Sequence, residues 1–286
     1  MDRHFLIAVS DQKSALYGIR FVSDFFSDKH HIKSTLFYSA PKPAAVFENE
    51  KSLEADSRQK EQQRKLLAKG KEAMKKALQE CLDLGFPKEN LTEKLEARIF
   101  SKIADIIQEG EKGSYDAVVL GRRGLSMIEE IFEDSVSRAI FNETFTFPLW
   151  LCRSSDPSRK NVLFYVDGSA ASFQMADHVG FIVGFEKKHR VDLLAVDSIA
   201  AQSSLMDQYR EILLKHGLPA DMIQTSLLDS GNPAKQILKI VEMQAYAAVA
   251  LGRSSSESNI LARLFKGPVC SILFKELEDA SLWLCP

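Results

Sequence analysis

No residues in this chain are spaced to hold a metal. Its six histidines, at positions 4, 30, 31, 178, 189 and 216, form no HxxxH pair, and Cys81, Cys152, Cys270 and Cys285 form no CxxC. The thiols read as cytosolic and reduced, since Cys152 and Cys285 would meet in a bridge only if two halves of the chain packed symmetrically. Long hydrophobic runs are also missing. None approaches the ~18–20 residues that span a bilayer, and the apolar stretch from Phe5 to Ser10 is shorter than the roughly 7–15-residue centre of a secretory signal. Net charge is only −2 over 286 residues, so there is no field to hold nucleic acid or an anionic membrane. The motifs GxSxG, GxxxxGK[ST] and HExxH do not occur. These absences point to a cytoplasmic, non-catalytic protein with no metal, nucleic-acid or membrane partner.

What is present is a repeat. Residues 115–122 read YDAVVLGR and residues 246–253 read YAAVALGR. The order continues: IFEDSVSRAIF at 131–141 matches LFKGPVCSILF at 264–274, and Trp150-Leu151-Cys152 matches Trp283-Leu284-Cys285. The openings match too, HFLIAVSDQ at 4–12 against VLFYVDGS at 162–169. A period of about 130 residues is domain-sized, well beyond the roughly 20–50 of a solenoid. The chain therefore reads as one domain made twice, 1–153 and 161–286. The polar segment RSSDPSRK at 153–160 is the linker, and the first copy carries a helical insertion at about 40–70.

Strand and helix patterns alternate through both copies. Phe5–Val9, Ile32–Ser39, Leu91–Ala97, Ala117–Leu120 and Leu149–Cys152 read as strands, and 13–27, 50–84, a segment capped by Ser101, and Met127–Phe141 as helices. The second copy repeats this with strands Val162–Val166, Val191–Val196, Ile223–Leu228, Ala248–Leu251 and Leu282–Cys285. Its helices are Ser172–Val183, Leu205–His216, Ala234–Met243 and Ile260–Phe274. Alternation of this kind predicts parallel sheets with right-handed crossovers. The fold class is thus α/β, two tandem Rossmann-like doubly wound domains, each a five-stranded parallel sheet with helices on both faces. Such sheets take ligands beyond the carboxyl ends of the strands, at the turns after the first and fourth.

Those turns carry the distinctive residues. After the first strand of the second copy come Asp167, Gly168 and Ser169, with Ser172 three further on. Gly168 permits a tight turn, Asp167 would aim a carboxylate into the crevice, and Ser169 or Ser172 would cap the next helix. After the fourth strand of the first copy come Gly121, Arg122, Arg123 and Gly124, then Asp134 and Ser135. Glycines at a helix start expose N–H groups that suit an anion. Plainer readings stand beside these. Gly121 and Gly252 would serve simply to end strands, Arg122–Arg123 would serve as a solvated pair, and Asp-Gly is a common turn dipeptide. The charged helix at 50–84 reads as a solvated amphipathic helix or a docking surface, and Trp150 and Trp283 as interface core.

With these motifs in order, the chain resembles a tandem universal stress protein, over nearly its whole length apart from the insertion. That family opens with V-D-G-S-x-x-S and follows its fourth strand with G-x2-G-x9-G-[ST], which in nucleotide-binding members wraps the phosphates and ribose of ATP. In the first copy, Gly121 and Gly124 match the first two glycines, Asp134 replaces the third, and Ser135 matches the hydroxyl position. Ser10 stands where the family has its acidic residue. In the second copy, Asp167, Gly168 and Ser169 match, Gly252 matches the first glycine, Ser255 replaces the second, Gly267 arrives two residues late and Pro268 takes the hydroxyl position. The resemblance implies an adenine nucleotide, ATP or AMP, in the first copy, with backbone near Val9 and Ser10 holding base and ribose. It also implies that the two domains pack as an intrachain pseudo-dimer, and it leaves homodimerisation open. Two alternatives remain: an interaction protein with vestigial crevices, and a nucleotide-dependent enzyme.

Overall fold

The computed structural model describes residues 2–11, 16–42, 53–99, 101–121, 146–153, 156–184, 186, 188–196, 203–229, 231–253 and 268–286. The helix expected at Met127–Phe141 and most of the one at Ile260–Phe274 lie outside these residues.

Ten strands form one sheet. They are β1 (Arg3–Ala8), β2 (Ile32–Ala40), β3 (Leu91–Ala97), β4 (Ala117–Gly121), β5 (Leu149–Cys152), β6 (Asn161–Tyr165), β7 (Val191–Val196), β8 (Ile223–Leu228), β9 (Tyr246–Gly252) and β10 (Ser281–Cys285). Their order is β3-β2-β1-β4-β5-β10-β9-β6-β7-β8. Every neighbouring pair is parallel except β5–β10, which is antiparallel with Trp150 opposite Trp283. Each half is thus a five-stranded parallel sheet, and the last strands of the two halves join them.

The strands are apolar on both sides because helices cover both sides. Phe5, Ile7 and Val9 enter one core, and Leu6 and Ala8 the other. The first core is roofed by α1 (Tyr17–Phe25), α2 (Leu53–Asp83), α4 (Ala170–Val183) and α5 (Ser203–Lys215). The second is covered by α3 (Lys102–Lys112), α6 (Pro233–Met243) and α7 (Pro268–Glu276). The helix starts follow local chemistry. Ser101 accepts from the Ala104 N–H, and the Asn232 side chain accepts from the N–H groups of Ala234 and Lys235, with Pro233 at the first helical position. At the ends of α2 and α5, Gly85 and Gly217 take φ of +84° and +86°, a left-handed conformation that favours glycine.

α2 and α5 end alike but differ in length. α2 has 31 residues and α5 has 13, so the surplus extends the beginning of α2, beyond the carboxyl ends of the strands. On its packed part Ala73, Met74, Ala77 and Cys81 are buried. Ahead of Leu66 the side chains described are mostly exposed, and Glu61 pairs with Arg64 and Lys65.

The seam between halves is aromatic. Trp150 and Trp283 stack at 4.1 Å and 5°, both fully buried. Such pairs add about 0.5–1.5 kcal/mol beyond area burial. Phe21 on α1 and His178 on α4 meet the pair edge-on from opposite halves. The Trp150 indole N–H donates to His178 Nε2 at 3.0 Å, whereas the Trp283 indole nitrogen has no hydrogen-bond partner among the described residues. His189 supplies a second tie. Its ring stacks on Phe25 at 4.0 Å, and its Nε2 lies 2.8 Å from the Phe25 carbonyl of the other half.

Burial pushes the His178 imidazole down to about 3 from its ordinary 6.5. Its folded form is therefore neutral, as acceptance from the indole requires. The unfolded chain binds that proton first, so the stability it contributes is full above pH 6.5 and is lost as pH falls toward 3. The slope is about 1.4 kcal/mol per pH unit. Replacing His178 with Gln, which keeps an acceptor and does not titrate, is expected to flatten urea-unfolding stability between pH 6.5 and 4 relative to the unaltered chain; equal slopes would refute the neutral assignment.

Candidate functional site

Parallel pairing of β1 with β4 aligns Phe5 with Ala117 and Ile7 with Val119. Val9 and Ser10 therefore emerge beside Gly121, although over a hundred residues separate them in sequence. Val9 donates its N–H to the Phe37 carbonyl at 2.8 Å, Ser10 is buried, and Asp11 is exposed. Gly121 is buried at the end of β4, paired with Cys152. α1 lies close against this strand end: a Cβ on Gly18 would stand 3.0 Å from Val119 Cγ1 and 3.7 Å from the Gly121 nitrogen. Arg122, Arg123, Gly124, Asp134 and Ser135 lie outside the described residues, as does Gly267.

In the second half, β6 and β9 likewise bring Asp167–Ser169 and Gly252 to one end of the sheet. Gly168 adopts φ of +77°, the left-handed region that its tight turn requires. The Asp167 carboxylate accepts from the Ser169 N–H at 3.0 Å, so it closes its own turn. Of the two serines proposed as caps, Ser169 caps α4, accepting from the Ser172 N–H at 3.1 Å. The Gly168 N–H is taken by the Tyr209 hydroxyl at 3.0 Å. Gly252 has a packing role, since a Cβ there would stand 2.3 Å from the Ser172 nitrogen and 2.4 Å from the Ala171 carbonyl carbon. The first turn of α4 rests directly on the end of β9.

The repeated Gly-Arg ends inside the core in the second half. Arg253 is buried, and its N–H donates to the Cys285 carbonyl at 2.8 Å. Burial lowers its guanidinium to about 10. Burial also pushes the thiols of Cys152, Cys270 and Cys285 up to about 12, and all four cysteines are free.

One cluster in the first half escaped the sequence reading. At the carboxyl ends of β2 and β3, the Ser39 hydroxyl donates to Asp105 at 2.6 Å, and the Ile99 N–H donates to the same carboxylate at 3.2 Å. Arg98 reaches Ser39 at 3.4 Å. Asp105 sits in the first turn of α3, where the helix dipole favours an anion. The available signal was a Ser cap followed by an acidic residue one turn on. Among the described residues, no group of three or more His, Cys, Asp or Glu is placed to hold a metal, and no helix is long and apolar enough to cross a membrane.

No family model and no curated protein matches the chain. Solved structures do match in fold. The structure defines a tandem, doubly wound α/β protein whose two sheets join through their last strands. It is similar to a universal stress protein from Archaeoglobus fulgidus DSM 4304, with a TM-score of 0.68 at 15% identity over 99% of this chain and 95% of that one. A functionally unknown protein from Pseudomonas aeruginosa PAO1 gives 0.55 at 12%, covering 99% and 92%. The cytoplasmic domain of a prokaryotic cation chloride cotransporter gives 0.55 at 10%, covering 99% and 95%. The fold is that of the universal stress proteins.

Gly252→Ala tests the close approach of α4 to β9. A Cβ at 2.3 Å from backbone forces the helix away, and the expected loss is roughly 3 kcal/mol, at the upper end for overpacking. Denaturant unfolding of the variant within about 0.5 kcal/mol of the unaltered chain would show that the helix is not held there.

Proposed function

We propose that this chain is a stress-response regulatory protein of the universal stress type, cytoplasmic and non-catalytic. It comprises units 1–153 and 161–286, and it takes ATP or AMP in the crevice of its first half. The observation that carries this reading is the convergence of Val9–Ser10 and Gly121 at one end of the sheet through the β1–β4 pairing, the place where doubly wound sheets take ligands. Arg122, Arg123, Gly124, Asp134 and Ser135 follow Gly121 in sequence and are assigned from the motif. In this reading the nucleotide is a bound signal, and the N–H groups after Gly124 meet its phosphates. Val9 and Ser10 border base and ribose.

In the motif's register Asp134 takes the place of the third glycine, and its charge there would oppose the phosphates. Two like charges about 4 Å apart repel by about 1 kcal/mol in water and about 4 kcal/mol at an effective dielectric of 20. The family has glycine there, and in this reading Arg122, Arg123 or Arg138 would neutralise the charge. The second half offers less. Asp167, Gly168, Ser169 and Gly252 are engaged with one another or with Tyr209 and α4, and with Gly267 they form the weaker candidate site. That engagement, with the exposed charged turns of α2, favours a second reading in which the protein acts through its surfaces.

Thermal denaturation with ATP, ADP and AMP separates the two. A ligand at 100 times its Kd stabilises by about 2.7 kcal/mol, a shift of several degrees, and no shift with any nucleotide at millimolar concentration would remove the binding reading. Asp134→Gly is expected to bind ATP more tightly by isothermal titration; unchanged or weaker binding would mean that Asp134 does not face the phosphates.

A further inference from the structure

The two halves place a tyrosine in corresponding space but from opposite elements. Val9 and Val166 donate to the carbonyls of Phe37 and Leu194, which aligns Tyr38 on β2 with Ala195 on β7. The glycines ending α2 and α5, Gly85 and Gly217, align Ala77 with Tyr209. The first half therefore has a tyrosine on its strand and an alanine on its helix, and the second half has the reverse. All four residues are buried.

Their hydroxyls differ in what they meet. Tyr209 is fully buried, stacked on Phe173 at 4.5 Å and set edge-on to Phe164. Its oxygen accepts from the Gly168 N–H at 3.0 Å and lies beside the Ser172 hydroxyl. It supplies from within the chain what a ligand oxygen would supply to that turn. Tyr38 is 5% exposed, with its ring against α2 where a Cβ on Gly70 would stand 2.9 Å from Cε1. Its hydroxyl has no hydrogen-bond partner among the described residues. It stands at the border of the first crevice, because the β1–β2 register and the bond from the Val9 N–H to the Phe37 carbonyl set Tyr38 beside Val9 and Ser10; the charges of Asp11, after β1, and Arg98, after β3, act on it there. A phenol packed this closely, with no described residue bonded to its oxygen, is prepared to donate to an acceptor that arrives.

We propose that this exchange of a tyrosine between strand and helix decides which half takes the ligand: Tyr38 presents its hydroxyl to a nucleoside-type ligand in the first crevice, and Tyr209 closes the second. The inference rests on the nucleotide reading above and adds a stoichiometry and a residue in each half. Burial and then Asp11 raise the Tyr38 phenol above its ordinary value, so it is a neutral donor at any pH the protein meets.

Isothermal titration with ATP tests the first part. The full chain is expected to take one nucleotide, and Tyr38→Phe, which keeps the ring, is expected to bind about five- to tenfold more weakly, the usual effect of losing one hydrogen bond. Two nucleotides per chain, or unchanged affinity in Tyr38→Phe, would overturn it. The Tyr209 part has its own readout. Tyr209→Phe should speed hydrogen exchange at the Gly168 amide at least tenfold and leave first-site affinity unchanged; retained protection would overturn the closure. If the unaltered chain binds no nucleotide, the proposed function and the role of Tyr38 fall together, whereas exchange at Gly168 still decides for or against Tyr209.

Discussion

The stack of Trp150 on Trp283 is the contact on which the rest of the molecule depends. Two parallel half-sheets end in strands that would otherwise be open edges, and an open apolar edge is a template for unwanted pairing. Joining β5 to β10 antiparallel removes both edges at once, and the paired indoles fill the space above the join. Phe5, Phe21, Phe25 and Phe26 from the first half and His178 from the second gather around or beside that pair. One buried cluster therefore runs from α2 through the seam to α5. The outer edges are β3 and β8. β3 carries Glu93, Lys94 and Glu96, whereas β8 carries no charged residue.

The pseudo-symmetry is broken where chemistry is concerned. Phe21 faces the indole pair from one side and His178 from the other, so one indole N–H is satisfied and the other has no partner among the described residues. The exchange of Tyr38 and Tyr209 does the same at the crevices. A duplicated domain needs the shared seam in both copies, because each copy supplies half of it. It does not need two ligand sites, and the second half has turned its loop residues toward one another: Asp167 to Ser169, Ser169 to Ser172, Gly168 to Tyr209.

The architecture was legible in the sequence because it rests on period and punctuation. YDAVVLGR and YAAVALGR marked the fourth strand of each half, Gly85-Phe86-Pro87 and Gly217-Leu218-Pro219 marked equivalent helix ends, and the Trp-Leu-Cys pairs marked the seam. The direction of a side chain was not legible. Asp167 reads equally well as a ligand contact or as the acceptor that closes its own turn, because both uses favour the same Asp-Gly dipeptide. Tyr209 gave no signal, since an aromatic residue at helical spacing among Leu213 and Leu205 reads as core, which it also is. Asp105 was hidden likewise, because a carboxylate near a helix start usually faces water.

Because the buried cluster crosses the seam, neither half is complete by itself. Opening one would leave the other with a bare indole face and an unpaired strand, so the two are expected to melt as a single cooperative unit. The short polar tether at 153–160 keeps the separated faces at millimolar effective concentration. Reassembly is then first-order in the chain, and dilution, which scatters a true dimer, has no purchase on this one.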